Sequence, residues 1–239
     1  MTTIFWAGDS TVRQNSIHTY PQTGIGQVFD RFTRRYQVMI ENHAENGRST
    51  KSFLAEGRLA PICQRMKEGD FLFIQFGHND QKAEDPVRYA PADTIYADNL
   101  RLFIRAARLR GAWPVLITPL TRCNFRQLPP ERQFSSYINA MKRVGKEMDV
   151  PVIDLTRMSK ELVEQWGESA ATELYMTFPR GRYPHYPEGL SDKTHLQPLG
   201  AMTFAGLIAR GLHQLGGIYA ELLSDEFADW LNEGGSIVP

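Results

Sequence analysis

Asp192 and His195 stand three residues apart near the C-terminus, and an apolar run at the N-terminus ends in Gly8-Asp9-Ser10. A carboxylate, an imidazole and a serine hydroxyl are the components of a nucleophilic hydrolase. The hydroxyl is a poor nucleophile until a base accepts its proton. That base in turn needs a carboxylate to fix its tautomer and stabilise its cation. A short Asp-x-x-His segment supplies both groups from one rigid loop. Acyl transfer also requires hydrogen-bond donors for the developing oxyanion. Gly47, in Asn42-His43-Ala44-Glu45-Asn46-Gly47-Arg48-Ser49, permits a left-handed turn whose N–H can face a reacting carbonyl. Asn79, in Gly77-His78-Asn79-Asp80, can bring a side-chain amide to the same point. Asp9 is expected to brace the turn at the nucleophile rather than to act as a base. Each motif alone also fits an ordinary turn or helix cap; their convergence carries the argument.

The elements that must position these residues are legible as alternating patterns. Thr3 to Ala7, Gln37 to Ile40, Phe71 to Phe76, Pro114 to Thr118 and Pro151 to Leu155 read as five buried strands. Near-continuous apolar runs of this length suit a parallel sheet covered on both faces. Between them lie segments of helical period, such as Tyr96, Leu100, Phe103 and Ala107 on one face with Arg101, Arg105 and Arg108 turned elsewhere. Phe204, Leu207, Ile208 and Leu212 repeat the pattern after Pro198, which is placed to open the last major helix. The alternation predicts right-handed crossovers and a three-layer α/β/α sandwich over one domain spanning residues 1–239. Ser10, Gly47 and Asn79 then follow three separate strands along one sheet edge, where open α/β sheets place their ligands. Tyr175 to Ser191, rich in Pro, Gly and aromatics, reads as a long ordered loop of functional character.

With these blocks in view, the chain resembles the SGNH (GDSL-type) hydrolases over nearly its whole length. Ser10 matches the nucleophile of the first block, here Gly-Asp-Ser-Thr-Val where many relatives have Gly-Asp-Ser-Leu. Gly47 matches the second-block glycine, Asn79 the third-block asparagine, and Asp192 with His195 the fifth block. Asn-Gly-Arg-Ser, Gln75-Phe76-Gly77-His78-Asn79-Asp80 and Asp192-Lys193-Thr194-His195 further resemble the rhamnogalacturonan acetylesterase branch. The resemblance implies a flavodoxin-like sandwich and no metal cofactor. It also implies an oxyanion hole built from the backbone N–H groups of Ser10 and Gly47 with the Asn79 side chain. The implied substrate is an acetylated pectic sugar, and the want of a secretion signal favours oligosaccharides over intact polymer; a lipase or thioesterase acting on another acyl ester is the alternative on the same machinery.

Substrate contacts are expected from Arg48, His78 and Tyr183, although His78 also fits a hydrogen-bonded turn histidine. Arg48, Arg180 and Arg182 are candidates to meet a galacturonate carboxylate through the planar guanidinium fork. Tyr175, Phe178, Tyr183 and Tyr186 are candidates for a sugar-stacking wall beside Asp192. His18, His43, His185 and His213 show no ligand spacing. A metal-dependent phosphoesterase would need several His and Asp ligands around its metals, and Gly8-Asp9-Ser10 has no histidine nearby in sequence. Lys+Arg and Asp+Glu both count 27 among 239 residues, which argues against nucleic acid or an acidic membrane as partner. Cys63 and Cys123 are expected to be unbridged thiols. No apolar stretch with a basic flank opens the chain, and a cytoplasmic location is the expectation.

Overall fold

The structure is a computed structural model that describes residues 1–123 and 134–235. Five parallel strands form one sheet in the order β2-β1-β3-β4-β5: β1 (Thr2–Gly8), β2 (Val38–Asn42), β3 (Phe71–Gln75), β4 (Trp113–Ile117) and β5 (Val152–Ile153). The α/β/α sandwich expected from the alternation is therefore present. Side-chain direction alternates along each strand, and the core divides accordingly. Ile4, Trp6, Phe71, Phe73, Val115 and Ile117 point to one face, whereas Phe5, Ala7, Leu72, Ile74 and Leu116 point to the other.

Nine α-helices among the described residues cover the two faces. In chain order they are α1 (Ile25–Val28), α2 (Thr50–Ala55), α3 (Leu59–Arg65), α4 (Ala97–Leu109), α5 (Ser135–Glu147), α6 (Leu155–Ala171), α7 (Pro198–Leu215), α8 (Gly217–Ala220) and α9 (Asp225–Asn232). Helices α2 to α5 pack through Phe53, Ile62, Leu100, Phe103, Met141 and Val144 onto the Phe5 face. Helices α1, α6 and α7 pack through Ile25, Leu162, Phe204 and Ile208 onto the Trp6 face. Trp6 is fully buried there, in edge contact with Phe29 and Phe73 at centroid distances of 5.4 and 5.1 Å. Pro198 does occupy the first turn of α7, where its missing N–H costs no hydrogen bond.

Three expectations are corrected. β2 is partly exposed rather than buried, because it is the sheet edge with a neighbour on one side only. β5 is two residues long. Asp154 accepts a hydrogen bond from the Arg157 N–H and caps α6, which takes Leu155 into the helix. The stretch from Tyr175 is not simply a loop. β6 (Tyr175–Phe178) pairs antiparallel with β7 (Leu190–Leu196), and only the connection between them is irregular. Tyr175 itself lies in the core, its hydroxyl donating to the Thr121 carbonyl at 2.8 Å, so it forms no sugar wall.

Cys63 lies on α3 and Cys123 is buried, and the two are not bridged. No helix among the described residues is long and apolar enough to cross a membrane.

Candidate active site

The strand order reverses direction between β1 and β3, with β2 laid outside β1. Such a switch point opens a crevice at the carboxyl ends of the strands. Ser10 stands just beyond β1, His78 and Asn79 just beyond β3, and Gly47 on the connection after β2. Together with Asp192 and His195 they line a cleft of about 470 Å³.

Asp192 and His195 are carried by a large β-bulge. Tyr175 pairs with Leu196 and Thr177 with Ser191, so Met176 alone faces the four residues from Asp192 to His195. The extra length lifts both side chains out of the ladder toward Ser10. The Asp192 carboxylate closes the bulge itself: Oδ1 accepts the N–H groups of Thr194 at 2.8 Å and His195 at 3.0 Å. Its Oδ2 accepts the His195 Nδ1–H at 2.6 Å. Because the ionised carboxylate can only accept, Nδ1 carries the proton and Nε2 presents a lone pair. Nε2 lies 2.9 Å from Ser10 Oγ and is placed to take its proton. Burial would push the Asp192 carboxyl up. The hydrogen bonds and charge of His195 and the two backbone donors outweigh that, and hold it down to about 2.

The nucleophile turn is braced as expected. Asp9 is fully buried, and its Oδ1 accepts from the Thr11 N–H at 2.9 Å and the Thr11 hydroxyl at 2.8 Å. Across the crevice its Oδ2 meets His78 Nδ1 at 3.2 Å, while His78 Nε2–H donates to the Leu120 carbonyl at 3.0 Å. Burial would raise the Asp9 carboxyl, but His78 beside it and the Thr11 hydrogen bonds keep it below its ordinary value. Gly77, with φ +146°, makes the approach possible, since a Cβ there would lie 2.4 Å from Pro119 Cγ.

Ser10, Gly47 and Asn79 line one cleft, each with an N–H to offer. Gly47 adopts φ +73°, a conformation natural to glycine. Among the described residues neither the Ser10 nor the Gly47 N–H donates to any protein acceptor. Asn79 is 4% exposed, and one hydrogen of its Nδ2 goes to the Arg48 carbonyl at 3.1 Å. The other hydrogen remains available to the cleft. The arrangement can hold a tetrahedral oxyanion on two main-chain amides and one side-chain amide.

Of the expected substrate contacts, His78 borders the cleft, whereas Arg48 and Tyr183 are not among the residues that line it. The Arg48 guanidinium is drawn to Glu56 at 3.0 Å and to the Asn46 carbonyl at 2.8 Å, and only its main chain serves the site. His78 borders the cleft but has both ring nitrogens engaged. The Tyr183 hydroxyl donates to Gln197 at 2.8 Å, and its ring packs on Phe178 at 4.7 Å. Tyr186 likewise packs on Phe178. Arg180 pairs with Glu188 at 3.2 Å, and Arg182 lies over Tyr183. The cations that do line the cleft are Lys82, Arg88 and Arg122, with Asp192 the one carboxylate among the described residues there. No motif marks them. For Arg88 the one sequence signal is Asp85-Pro86, a turn opener in the segment after β3.

Asp80, next to Asn79, is buried with no cation beside it among the described residues. Thr50 donates both its N–H and its hydroxyl to Oδ1, at 2.9 and 2.5 Å, and Oδ2 has no partner among the described residues. Burial pushes this carboxyl up from 3.8 to about 7, against the pull of the Thr50 hydrogen bonds. Between those values the native state holds a proton that the unfolded chain releases, so this group's contribution to stability falls as pH rises through that window. Asp80→Asn is therefore expected to gain in Tm relative to the unaltered protein between about pH 4 and about pH 8. Thermal unfolding at the two pH values measures the change; a Tm difference independent of pH would refute the assignment.

A serine, histidine and aspartate relay at the carboxyl edge of a parallel sheet defines a nucleophilic hydrolase. More narrowly, the GDSL-like lipase/acylhydrolase family model matches residues 7–201, and the chain belongs to that family. It is 42% identical over 214 residues to rhamnogalacturonan acetylesterase RhgT of Bacillus subtilis (strain 168), covering 89% of this chain and 90% of the relative. The probable rhamnogalacturonan acetylesterase YesY of the same organism is 36% identical over 213 residues, with 89% and 93% covered. Among solved structures, YxiM of Bacillus subtilis superposes with a TM-score of 0.77 at 24% identity, over 90% of this chain and 57% of that longer one. Axe2, an acetylxylan esterase from Geobacillus stearothermophilus, gives 0.63 at 15% identity, with 88% and 93% covered. At these identities the structural likeness speaks to the fold.

Proposed function

We propose that the protein is a serine acetylesterase that removes O-acetyl groups from acetylated pectic rhamnogalacturonan oligosaccharides. The observation that carries the chemistry is the continuous relay from Asp192 through His195 to Ser10, in a cleft that Gly47 and Asn79 also line. His195 takes the Ser10 proton as Oγ attacks the acetyl carbonyl, and the resulting oxyanion rests on Ser10 N–H, Gly47 N–H and Asn79 Nδ2–H. His195 then passes that proton to the departing sugar oxygen, leaving an acetyl group on Ser10. Water, deprotonated by His195, attacks the acetyl-enzyme, and acetate leaves as Ser10 regains its proton.

The substrate reading is supported by the cleft walls and by the relatives. Every described side chain lining the cleft is polar or charged, which suits a short acyl group on a sugar better than a fatty chain. Lys82, Arg88 and Arg122 give it a positive field suited to an acidic sugar such as a uronic acid. Two relatives that match 89% of this chain are named a rhamnogalacturonan acetylesterase and a probable rhamnogalacturonan acetylesterase. Acetate release should be fastest from acetylated rhamnogalacturonan oligosaccharides, against acetylated xylo-oligosaccharides and p-nitrophenyl esters of increasing chain length. Faster turnover of long-chain esters would overturn the proposal in favour of a lipase.

Lys82 offers a narrower check. Lys82 lines the cleft, with Glu84 and Asp85 near enough to favour its charged form. Burial first, and then Arg88 and Arg122 beside it, lower its pKa. Lys82→Glu is expected to raise KM for the acidic oligosaccharide by about tenfold, equivalent to ~1.4 kcal/mol, and to raise KM for p-nitrophenyl acetate far less. Steady-state kinetics on the two substrates decides it, and equal effects on both would remove Lys82 from substrate recognition.

A further inference from the structure

Asn79 can serve an oxyanion only with its amide the right way round. Its side chain has two donor hydrogens and one acceptor oxygen. A flip of the amide would turn Oδ1 onto the Arg48 carbonyl and point Nδ2–H at a cation. Arg88 supplies that cation, its Nη1–H donating to Asn79 Oδ1 at 3.3 Å. The same Nη1 stands 3.8 Å from where a Cβ on Gly47 would lie, so the guanidinium reaches over both non-serine donors.

Arg88 is itself held in place. Its Nε–H donates to Asp85 Oδ2, and Asp85 Oδ1 accepts the N–H groups of Val87 at 3.0 Å and Arg88 at 3.3 Å. The Tyr89 N–H donates to the Asp85 carbonyl at 2.7 Å, and Ala90 N–H donates to the carbonyl of Asp80 at 3.0 Å. This tight turn begins and ends against the segment that carries Asn79. The chain Asp85–Arg88–Asn79 is thus a local bracket running from a carboxylate to the oxyanion donor.

We propose that Arg88 is the positioning residue of the oxyanion hole. Through Oδ1 it fixes the Asn79 amide with one Nδ2–H toward Ser10, and its charge polarises that amide so that the donor strengthens as the oxyanion forms. Arg88 acts through Asn79 and takes no proton and forms no bond to substrate. The proposal rests on the reading of Asn79 as an oxyanion donor.

The experiment is a double-mutant cycle on p-nitrophenyl acetate, a substrate with no carboxylate for Arg88 to bind. Asn79→Ala is expected to lower kcat by about 100-fold or more. Arg88→Ala is expected to lower kcat by roughly 10- to 100-fold with KM little changed, since the lost interaction is made in the transition state. In the Asn79→Ala background, Arg88→Ala should cost less than about threefold, because the group it positions is gone. Asp85→Asn, which leaves Arg88 in place but unanchored, should lower kcat through the same path and show the same non-additivity. Thermal unfolding of each variant separates misfolding from these effects. Unchanged kcat in Asn79→Ala would overturn the oxyanion reading itself. A normal effect of Asn79→Ala beside full additivity with Arg88→Ala would overturn the positioning role alone. So would an Arg88→Ala variant that loses only KM, and only on acidic oligosaccharides, because Arg88 would then be a substrate contact.

Discussion

Ser10→Ala should lower kcat for acetyl-ester hydrolysis by at least about 10⁴-fold. The hydroxyl is the atom that becomes acylated, and no other side chain among the described residues stands in hydrogen-bond reach of His195 Nε2. Removing Oγ deletes one side-chain hydrogen bond in a partly exposed position, while the turn is held from Asp9 through its own Thr11 and His78 contacts. Folding should therefore be preserved, and thermal unfolding of the variant should match that of the unaltered protein. Residual activity above water would come from the three oxyanion donors and from substrate binding. Acetate release measured with both proteins gives the answer, and turnover within tenfold of the original would falsify the serine mechanism.

Asp192→Asn is expected to be nearly as damaging, with kcat falling by about 10⁴-fold. Asparagine can still accept the Thr194 and His195 N–H groups through one oxygen, so the bulge survives. Its amide would then meet His195 Nδ1 with N–H groups, forcing Nδ1 to accept and placing the imidazole proton on Nε2. In that tautomer the base offers Ser10 a proton instead of taking one. The pH dependence follows from the same carboxylate. Burial alone would raise Asp192, yet His195 and the backbone donors hold it at about 2 instead of 3.8. Its contribution to stability is present above the ordinary value and is lost as pH falls through about 2. Asp192 consequently stays ionised over the range where esterases are assayed, so its own protonation does not limit kcat/KM there. A ratio of the two proteins' kcat near unity, with the bulge intact, would show that His195 does not depend on Asp192 for its tautomer.

Much of the frame was legible from local pattern. β1, β3 and β4 read correctly because a strand buried on both faces must be apolar at every position, and Ile4 to Ala7 or Phe71 to Ile74 leave no alternative. Amphipathic α4 was equally plain, with Leu100, Phe103 and Ala107 buried, and Tyr96 buried just before it. The edge strand and β5 were less so. Exposure at an edge depends on which strands are neighbours, and Asp154 ends β5 by a capping bond rather than by any change in hydropathy. Aromatic content misled at Tyr175 and Tyr183, whose hydroxyls found partners in the core and in Gln197. A sequence names a polar tip but not the atom that will satisfy it.

By itself the sequence determined the chemical types available: one serine after the first strand, an asparagine after the third, and a carboxylate and imidazole on one short segment. These are local properties, written in residue identity and in the period of apolar positions. Only the tertiary structure decided that Ser10 and His195, 185 residues apart, stand within 2.9 Å. It decided too that Asp192 to His195 bulge out opposite a single residue, and that Arg88 rather than Arg48 turns its guanidinium to the site. Such facts depend on strand order, on the pairing register of β6 with β7, and on which distant group first satisfies a buried polar atom. Those partners are fixed when the layers pack, and no stretch of the chain encodes them alone.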